Sequence, residues 1–172
     1  MKGNKFYFEN DSLVCLGHNR YKRVGRLVVG DRIWVDYGVS GIVAKIERMV
    51  RHDMIQVNSS IMHVVCSKNS EVYTTRGFKR ADELNIDDTY MNFFLTGYFL
   101  PGKWIRPLEE NIHCTYLLIA CDEVFSETII VNNFKFKGNC FDATNQEIEI
   151  KKKKRRRKKR KGREPWSVIY KV

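Results

Sequence analysis

Short runs of β-branched and aromatic residues recur along most of the chain, and Gly, Asn, Asp and Ser separate them. Runs of this length and composition are typical of β-strands, and the residues between them favour turns. The pattern therefore predicts strands at 33–35, 42–50, 54–57, 62–66, 71–75, 89–94, 115–120 and 128–131. Many short strands at this spacing indicate an all-β fold, a compact arrangement of short strands and hairpins.

Helical periodicity is weak throughout the chain. No window of a dozen residues keeps the apolar period of an amphipathic helix, although residues 81–84 fit a single turn. Pro101 and Pro107 are expected to bracket a loop around Trp104 that interrupts the sheet. The sequence shows no internal repeat.

The length of 172 residues suits one domain better than two. Apolar periodicity weakens after about residue 138, which predicts a β domain over 1–138 and a linker or edge strand over 139–150. A polybasic segment follows at 151–163. Residues 164–172 are apolar again and are suited to pairing with an open sheet edge, so we expect them to dock on a protein partner.

The net charge of +11 is concentrated in one segment. Residues 1–150 contain 18 Lys and Arg against 19 Asp and Glu, whereas residues 151–163 contain 12 basic residues and no acid. Eleven consecutive like charges repel one another, so the sequence predicts an extended basic C-terminal arm. The basic residues of this arm are Lys151, Lys152, Lys153, Lys154, Arg155, Arg156, Arg157, Lys158, Lys159, Arg160, Lys161 and Arg163.

We expect this arm to bind DNA or RNA through the phosphate backbone, because polyanions relieve the repulsion and release counterions. No aromatic residue is interleaved in the run, so binding should be independent of base sequence. If about 6 to 8 of the charges meet phosphates, the logarithm of affinity should fall with the logarithm of salt at a slope of roughly −5 to −7 for duplex DNA. The run also fits a nuclear-localisation signal, an anchor to an acidic membrane or protein surface, or a solubilising role.

The sequence predicts no disulfide framework, because the number of Cys residues, five, is odd and no CxxC pair occurs. We expect reduced thiols, buried in strands. His63, Cys66, His113 and Cys114 would make a zinc site only if the fold collected all four, so the sequence predicts no metal and no other cofactor.

No window reaches the roughly 18 apolar residues of a membrane span, and the N-terminal residues lack the apolar stretch of a signal peptide. The sequence therefore predicts an intracellular protein, in the cytoplasm, the nucleus or a virion, that is neither secreted nor held in a membrane.

Three segments carry longer patterns. Residues 12–33 are similar to an opening strand followed by "I-x-x-L-x-x-G-D-x-V", in which Gly30 and Asp31 make a tight turn. Residues 67–90 are similar to "T-x-x-H-x-V-Y-T-x-x-G-x-x-x-A-x-x-L-x-x-G-D", and residues 115–133 to closing strands that end in "I-V-V-H-N". Together, in this order, they resemble the Hint (hedgehog/intein) domain, which implies the compact β fold of that family.

The resemblance also implies a self-processing chemistry. In Hint domains an N-terminal Cys or Ser attacks the preceding peptide carbonyl, a Thr and a His in "T-x-x-H" assist it, and a final Asn preceded by His cleaves the C-terminal junction. The matching positions here are Ser67 for the Thr, Ser70 for the assisting His, Asn132 for the penultimate His and Asn133 for the terminal Asn.

These positions are degenerate. No nucleophile precedes the opening strand, since Cys15 lies within it and Ser12 is too close to it. Ser70 cannot replace an imidazole as proton donor, because a hydroxyl does not ionise near neutral pH. The sequence therefore predicts a non-catalytic Hint-like structural or binding module rather than an enzyme, with a viral, phage or other nucleoprotein assembly as its setting.

Two alternatives stay open. An autoprocessing Hint domain that cuts at Asn133 would release the basic segment. A histidine that reaches into the pocket near Asn133 in the folded chain would count against the non-catalytic prediction. A nuclear-targeted β-domain protein would instead use residues 151–163 for localisation. The simplest interpretation of Asn132 and Asn133 is a turn between two strands.

Overall fold

The structure is a computed structural model that describes residues 5–59, 62–85, 88–92, 98–122 and 124–143. These residues form two short 3₁₀ turns, Val24–Arg26 and Ala81–Glu83, and fifteen strands. The strands are β1 (Tyr7–Glu9), β2 (Leu13–Gly17), β3 (Arg20–Arg23), β4 (Arg32–Asp36), β5 (Val39–Arg51), β6 (Met54–Ser59), β7 (His63–Ser67), β8 (Glu71–Thr74), β9 (Gly77–Arg80), β10 (Thr89–Asn92), β11 (Tyr98–Pro107), β12 (Ile112–Cys121), β13 (Thr128–Val131), β14 (Phe134–Lys137) and β15 (Asn139–Asp142).

The prediction of an all-β fold is confirmed, and each predicted run overlaps a strand. The alternation that carried the prediction is visible in β4, where Ile33 and Val35 are fully buried and the residues beside them are not. The predicted single turn at 81–84 is the second 3₁₀ turn. Part of the predicted interval 139–150 is β15, while the basic arm at 151–163 and the docking peptide at 164–172 lie outside the described residues.

The prediction of a loop between Pro101 and Pro107 is wrong, because β11 runs through this stretch. Up to Pro101 the strand pairs with β10, and from Gly102 it pairs with β6, with an irregularity between Gly102 and Ile105. A bulge bends a strand without ending it, and Pro107 is the last residue of β11.

Strand neighbours follow the order β3-β2-β13-β14-β8-β10-β11-β6-β7-β1-β12-β5-β4, and β9 pairs with β8. All these pairs are antiparallel, whereas β15 runs parallel to β12. The longest interface joins β5 and β12, from Arg51 opposite Ile112 to Ile42 opposite Ala120. In the described residues β3 therefore lies at one edge of the sheet and β4 at the other.

Two segments of the chain fold into the same local structure. Each contains a β-hairpin, a 3₁₀ turn and a tight turn closed by an aspartate: the first unit is residues 12–31, with β2 and β3, and the second unit is residues 70–88, with β8 and β9. The prediction of no internal repeat is therefore wrong for the structure, in which the two units share one arrangement. The equivalent backbone bonds are Val24 N to Ser12 O (2.8 Å) and Ala81 N to Ser70 O (2.7 Å).

The aspartate contacts are also repeated. Asp31 Oδ2 accepts hydrogen bonds from Val28 N and from Lys22 Nζ, both at 2.9 Å. Gly30 before it has a φ of +100°, which is the left-handed turn that the Gly-Asp pair predicted. The second unit makes the same two contacts, Asn85 N to Asp88 Oδ2 (2.8 Å) and Lys79 Nζ to Asp88 Oδ2 (3.1 Å).

The main core lies where the two units and β1 meet. Phe134 and Phe136 of β14 are fully buried, and the Phe136 ring packs edge-on against Phe8 of β1 with 4.9 Å between centroids. Burial of one such aromatic side chain stabilises the fold by about 1.5–3 kcal/mol. β1 is thereby fixed inside the domain. Within the described residues, no helix has the length and apolar character needed to cross a membrane.

Candidate functional site

The amide between Phe6 and Tyr7 is held by a buried pair of hydroxyls. β1 lies between β7 and β12, which brings its first amide to the end of β7. The Tyr7 N–H donates to Ser67 Oγ at 2.9 Å, and Ser67 Oγ lies 2.9 Å from Ser70 Oγ. The structure therefore brings two of the sequence-predicted positions, Ser67 and Ser70, together at one backbone amide.

The turn after β7 positions both hydroxyls. Ser70 N donates to Ser67 O at 2.9 Å, and Ala81 N of the second 3₁₀ turn donates to Ser70 O at 2.7 Å. Both serine side chains are buried, so water does not compete for these bonds. The serine pair is therefore held by the turn after β7 and by the 3₁₀ turn of the second unit.

The neighbouring thiol adds no acid or base at neutral pH. Burial raises the pKa of the Cys66 thiol to about 12, and a hydrogen bond with Ser70 opposes the rise only in part. Among the described residues, the groups bonded to Ser67 and Ser70 are an amide, a hydroxyl and this thiol. The arrangement can hold a peptide group but lacks a group that transfers a proton near neutral pH.

Two amide side chains hold the same stretch of backbone. Phe6 N donates to Asn139 Oδ1 at 3.2 Å, and Asn69 Nδ2 donates to Lys5 O at 3.2 Å. The Tyr7 ring packs against Arg51, whose Cζ lies 4.7 Å from the ring centroid. Tyr7 thus contributes its backbone amide to the site, while its side chain lies against β5.

Asn132 and Asn133 form the turn between β13 and β14, as their simplest interpretation predicts. Both residues have positive φ, +50° and +64°, which matches a two-residue hairpin turn. Asn132 Oδ1 accepts from Leu13 N at 2.7 Å, and Asn132 Nδ2 donates to His63 O at 2.8 Å. The Tyr21 hydroxyl donates to Asn133 Oδ1 at 3.4 Å.

The asparagine pair does not join the serine pair. Asn132 contacts His63 at the first residue of β7, whereas Ser67 is the last residue of that strand. Four residues of strand separate the two places by roughly 13 Å. The asparagines instead line a cavity of about 440 Å³, which His63 also lines. A histidine therefore lines the cavity of Asn133, and this observation counts against the non-catalytic prediction.

Comparison with solved structures matches this chain to inteins. The gp41-1 intein matches with a TM-score of 0.63 and 11% identity, over 80% of this chain and 100% of that one. A DnaB intein from Synechocystis sp. PCC 6803 matches with a TM-score of 0.65 and 14% identity, over 77% and 98%. The MchDnaB-1 intein matches with a TM-score of 0.62 and 11% identity, over 76% and 99%.

The domain has the Hint fold. Likeness at these identities concerns the fold alone, and it confirms the resemblance that the three sequence segments indicated. No family model matches the sequence, and no curated protein matches it.

Within this Hint fold, the sequence located Ser67 and Ser70 but missed the residues that meet them. Phe6, Tyr7 and Asn139 lie outside the 12–133 span of the resemblance. The sequence feature that could have indicated this strand is the short apolar run at 6–8, whose residues are buried. Its pairing with β7 and β12 depends on contacts far apart in the chain, which a local pattern does not reveal.

The predicted burial of the cysteines in strands is confirmed for four of the five. All five are free thiols on strands, and all except Cys140 are buried. In the described part of the chain, no three His, Cys, Asp or Glu side chains are grouped as a metal site would require.

Proposed function

We propose that this chain is a non-catalytic Hint-fold module whose segment 151–163 binds nucleic acid without sequence specificity, in a nucleoprotein assembly such as a viral or phage particle. The observation that carries the proposal is the segregation of charge. Twelve basic residues without an acid follow a body of 150 residues in which acids and bases nearly balance. A dense cationic segment gains affinity for phosphate by releasing counterions.

The body supports this division, because many of its cations already have acidic partners. A lysine or arginine with a carboxylate at 3.4 Å or less is locally neutralised and has less to offer a polyanion. Such pairs are Lys5–Glu47, Lys22–Asp31, Arg32–Asp122, Arg51–Asp53, Lys79–Asp88, Arg80–Asp82 and Lys135–Asp36.

The serine site supports the non-catalytic part of the proposal. Ser67 and Ser70 are engaged with each other and with the Tyr7 amide. A hydroxyl pair of this kind gives no general acid near pH 7, and such an acid contributes typically about 10² to 10⁴ in rate. The serine pair therefore has a structural role, which is to hold β1 in the sheet.

The binding experiment uses the full-length chain and a variant with the 12 basic residues of 151–163 replaced by Gln. Affinity for a random duplex is measured between about 50 and 200 mM salt, where a protein with this many phosphate contacts loses roughly 10³-fold or more. The Gln variant should lose most of the affinity and of the salt dependence. A control that exchanges Lys and Arg within the segment keeps the charge and should bind like the parent; equal binding by the Gln variant would refute the proposal.

A second candidate function is self-cleavage at Asn133, which the position of His63 in the same cavity favours. The Asn133 carboxamide nitrogen would attack its own carbonyl carbon, forming a succinimide and freeing the amine of Phe134. Intact mass after prolonged incubation distinguishes the two candidates. We expect a single full-length mass. A fragment that ends at Asn133 and is lost in the Asn133→Gly variant would establish cleavage instead.

Localisation and a protein partner complete the proposal. If 151–163 serves as a nuclear signal, a fluorescent fusion of the full chain should enter the nucleus and the Gln variant should not. If 164–172 docks on a protein, a cross-linker placed on Trp166 should capture that protein in the native assembly.

A further inference from the structure

The first unit carries a concentrated positive surface. Residues 20–26 include Arg20, Lys22, Arg23 and Arg26 and no acid. A fifth cation comes from β5, since the Arg48 guanidinium donates to Gly25 O at 2.8 Å and to Leu27 O at 2.9 Å. We call these five side chains together with Tyr21 the basic hairpin surface.

The second unit shows that this charge is not needed to build the hairpin. Its equivalent stretch, residues 77–83, has the same strand and the same 3₁₀ turn, but Asp82 and Glu83 stand where the first unit has Gly25 and Arg26. Arg80, which corresponds to Arg23, is neutralised by two hydrogen bonds to Asp82 at 2.9 and 2.8 Å. The fold tolerates either sign of charge here.

Little on the body neutralises the basic hairpin surface. Lys22 is paired with Asp31 at 2.9 Å, and Arg23 lies 3.9 Å from Asp11, an exposed carboxylate at the limit of an ion pair. Exposed pairs of this length contribute little free energy. In the part of the chain that the structure describes, no ion pair involves Arg20 or Arg26.

The cations line a groove together with an aromatic ring. A cavity of about 520 Å³ is lined by Leu13, Tyr21, Lys22, Arg23 and Arg26. The cavity of about 440 Å³ that contains Asn133 and Asp11 also borders Leu13 and Tyr21, so the two cavities share these two lining residues. Tyr21 is 39% exposed, and β3 lies at the sheet edge, which leaves its ring and the cations accessible.

We infer that the basic hairpin surface binds a single-stranded nucleic acid, with phosphates on Arg23 and Arg26 and one base stacked on Tyr21. Cations that follow the backbone beside an aromatic platform are how sequence-independent single-strand sites are built. This inference rests on the proposed function and gives the strand a second contact. A weak site joined to the basic segment by the same chain increases affinity through effective concentration.

The test measures binding of a fluorescent single-stranded 20-mer to full-length variants by polarisation. Tyr21→Ala should weaken binding about tenfold, because one stacked base is worth roughly 1–3 kcal/mol, while Tyr21→Phe should bind like the parent. Arg23→Gln combined with Arg26→Glu should lower the salt slope by about 1.4, the value for two phosphates of a single strand. Glu already occupies the position equivalent to Arg26 in the second unit, as Glu83, so this variant is expected to fold.

The second unit supplies matched controls. Phe78→Ala and Arg80→Gln remove the equivalent ring, which is 38% exposed against 39% for Tyr21, and the equivalent cation. We expect neither control to change affinity. Equal losses in both units, or no loss in the first, would overturn the inference while leaving the proposed function intact. An equal effect of Tyr21→Ala on duplex DNA would also overturn it, and failure of the parent chain to bind any nucleic acid would refute the proposed function itself.

Discussion

Ser12 and Ser70 hold equivalent positions in the two units, yet only the Ser70 hydroxyl has found a partner. Ser70 Oγ lies 2.9 Å from Ser67 Oγ, whereas Ser12 Oγ is buried without a hydrogen-bond partner in the described residues. The difference arises because the second unit has a serine at the end of the preceding strand, while β1 precedes the first unit and ends in Glu9. A buried hydroxyl without a partner costs free energy that a methyl group does not.

Replacing these two serines should therefore have opposite effects. Ser12→Ala should raise the free energy of unfolding by about 1 kcal/mol, since it removes an unsatisfied group. Ser70→Ala should lower it by about 1–2 kcal/mol, since it leaves Ser67 short of a partner. Urea unfolding followed by tryptophan fluorescence measures both. Equal destabilisation by the two substitutions would contradict the assignment of Ser12 as unsatisfied.

The sequence predicts the long strands of the domain better than the short strands that complete the serine site. β5 and β12 are long and rich in Ile, Val and Leu, so their local pattern predicts strands. β1 and β15 are short, and their place depends on contacts such as Phe6 N to Asn139 Oδ1, which joins residues 133 positions apart. The pattern "T-x-x-H" located Ser67 and Ser70, but the amide they hold comes from a strand that no motif marked.

The two aspartates that close the units, Asp31 and Asp88, should contribute different amounts to the free energy of unfolding. Asp88 is 3% exposed and Asp31 23% exposed, although each accepts from one lysine and one backbone amide. Asp88→Ala removes a buried carboxylate that pairs with Lys79 and accepts from Asn85 N, and should cost about 3 kcal/mol. Asp31→Ala should cost about 1 kcal/mol, because water reaches its partners. Chemical denaturation measures the free energy of unfolding of both variants. A larger loss for Asp31→Ala would show that burial of the aspartate does not determine its contribution to stability.

In the β13–β14 turn, the effect of backbone conformation on stability can be measured separately from the effect of side-chain hydrogen bonds. Asn133 has a φ of +64°, so Asn133→Gly should leave stability nearly unchanged and Asn133→Ala should cost about 1–2 kcal/mol. Asn132→Gly keeps the backbone conformation but removes the bonds to Leu13 N and His63 O, and should cost about 1–2 kcal/mol. Thermal unfolding of the three variants tests this division. If both Gly variants behaved alike, the Asn132 side-chain bonds would not contribute.

Stability at alkaline pH should depend on Cys66. Burial raises the pKa of this thiol from 9.0 to about 12, so the folded protein keeps the proton at a pH where the unfolded chain has lost it. A raised pKa of this kind contributes stability that is fully present below pH 9 and is lost as the pH rises through about 12. The loss attributable to Cys66 approaches about 1.4 kcal/mol per pH unit within that window. Cys66→Ala should flatten the dependence of the unfolding free energy on pH above 9. The control is Val64→Ala, which truncates a buried residue on the same strand and should lower stability equally at every pH. Parallel pH profiles for the parent and Cys66→Ala would show that the pKa of this thiol is the same in the folded and unfolded states.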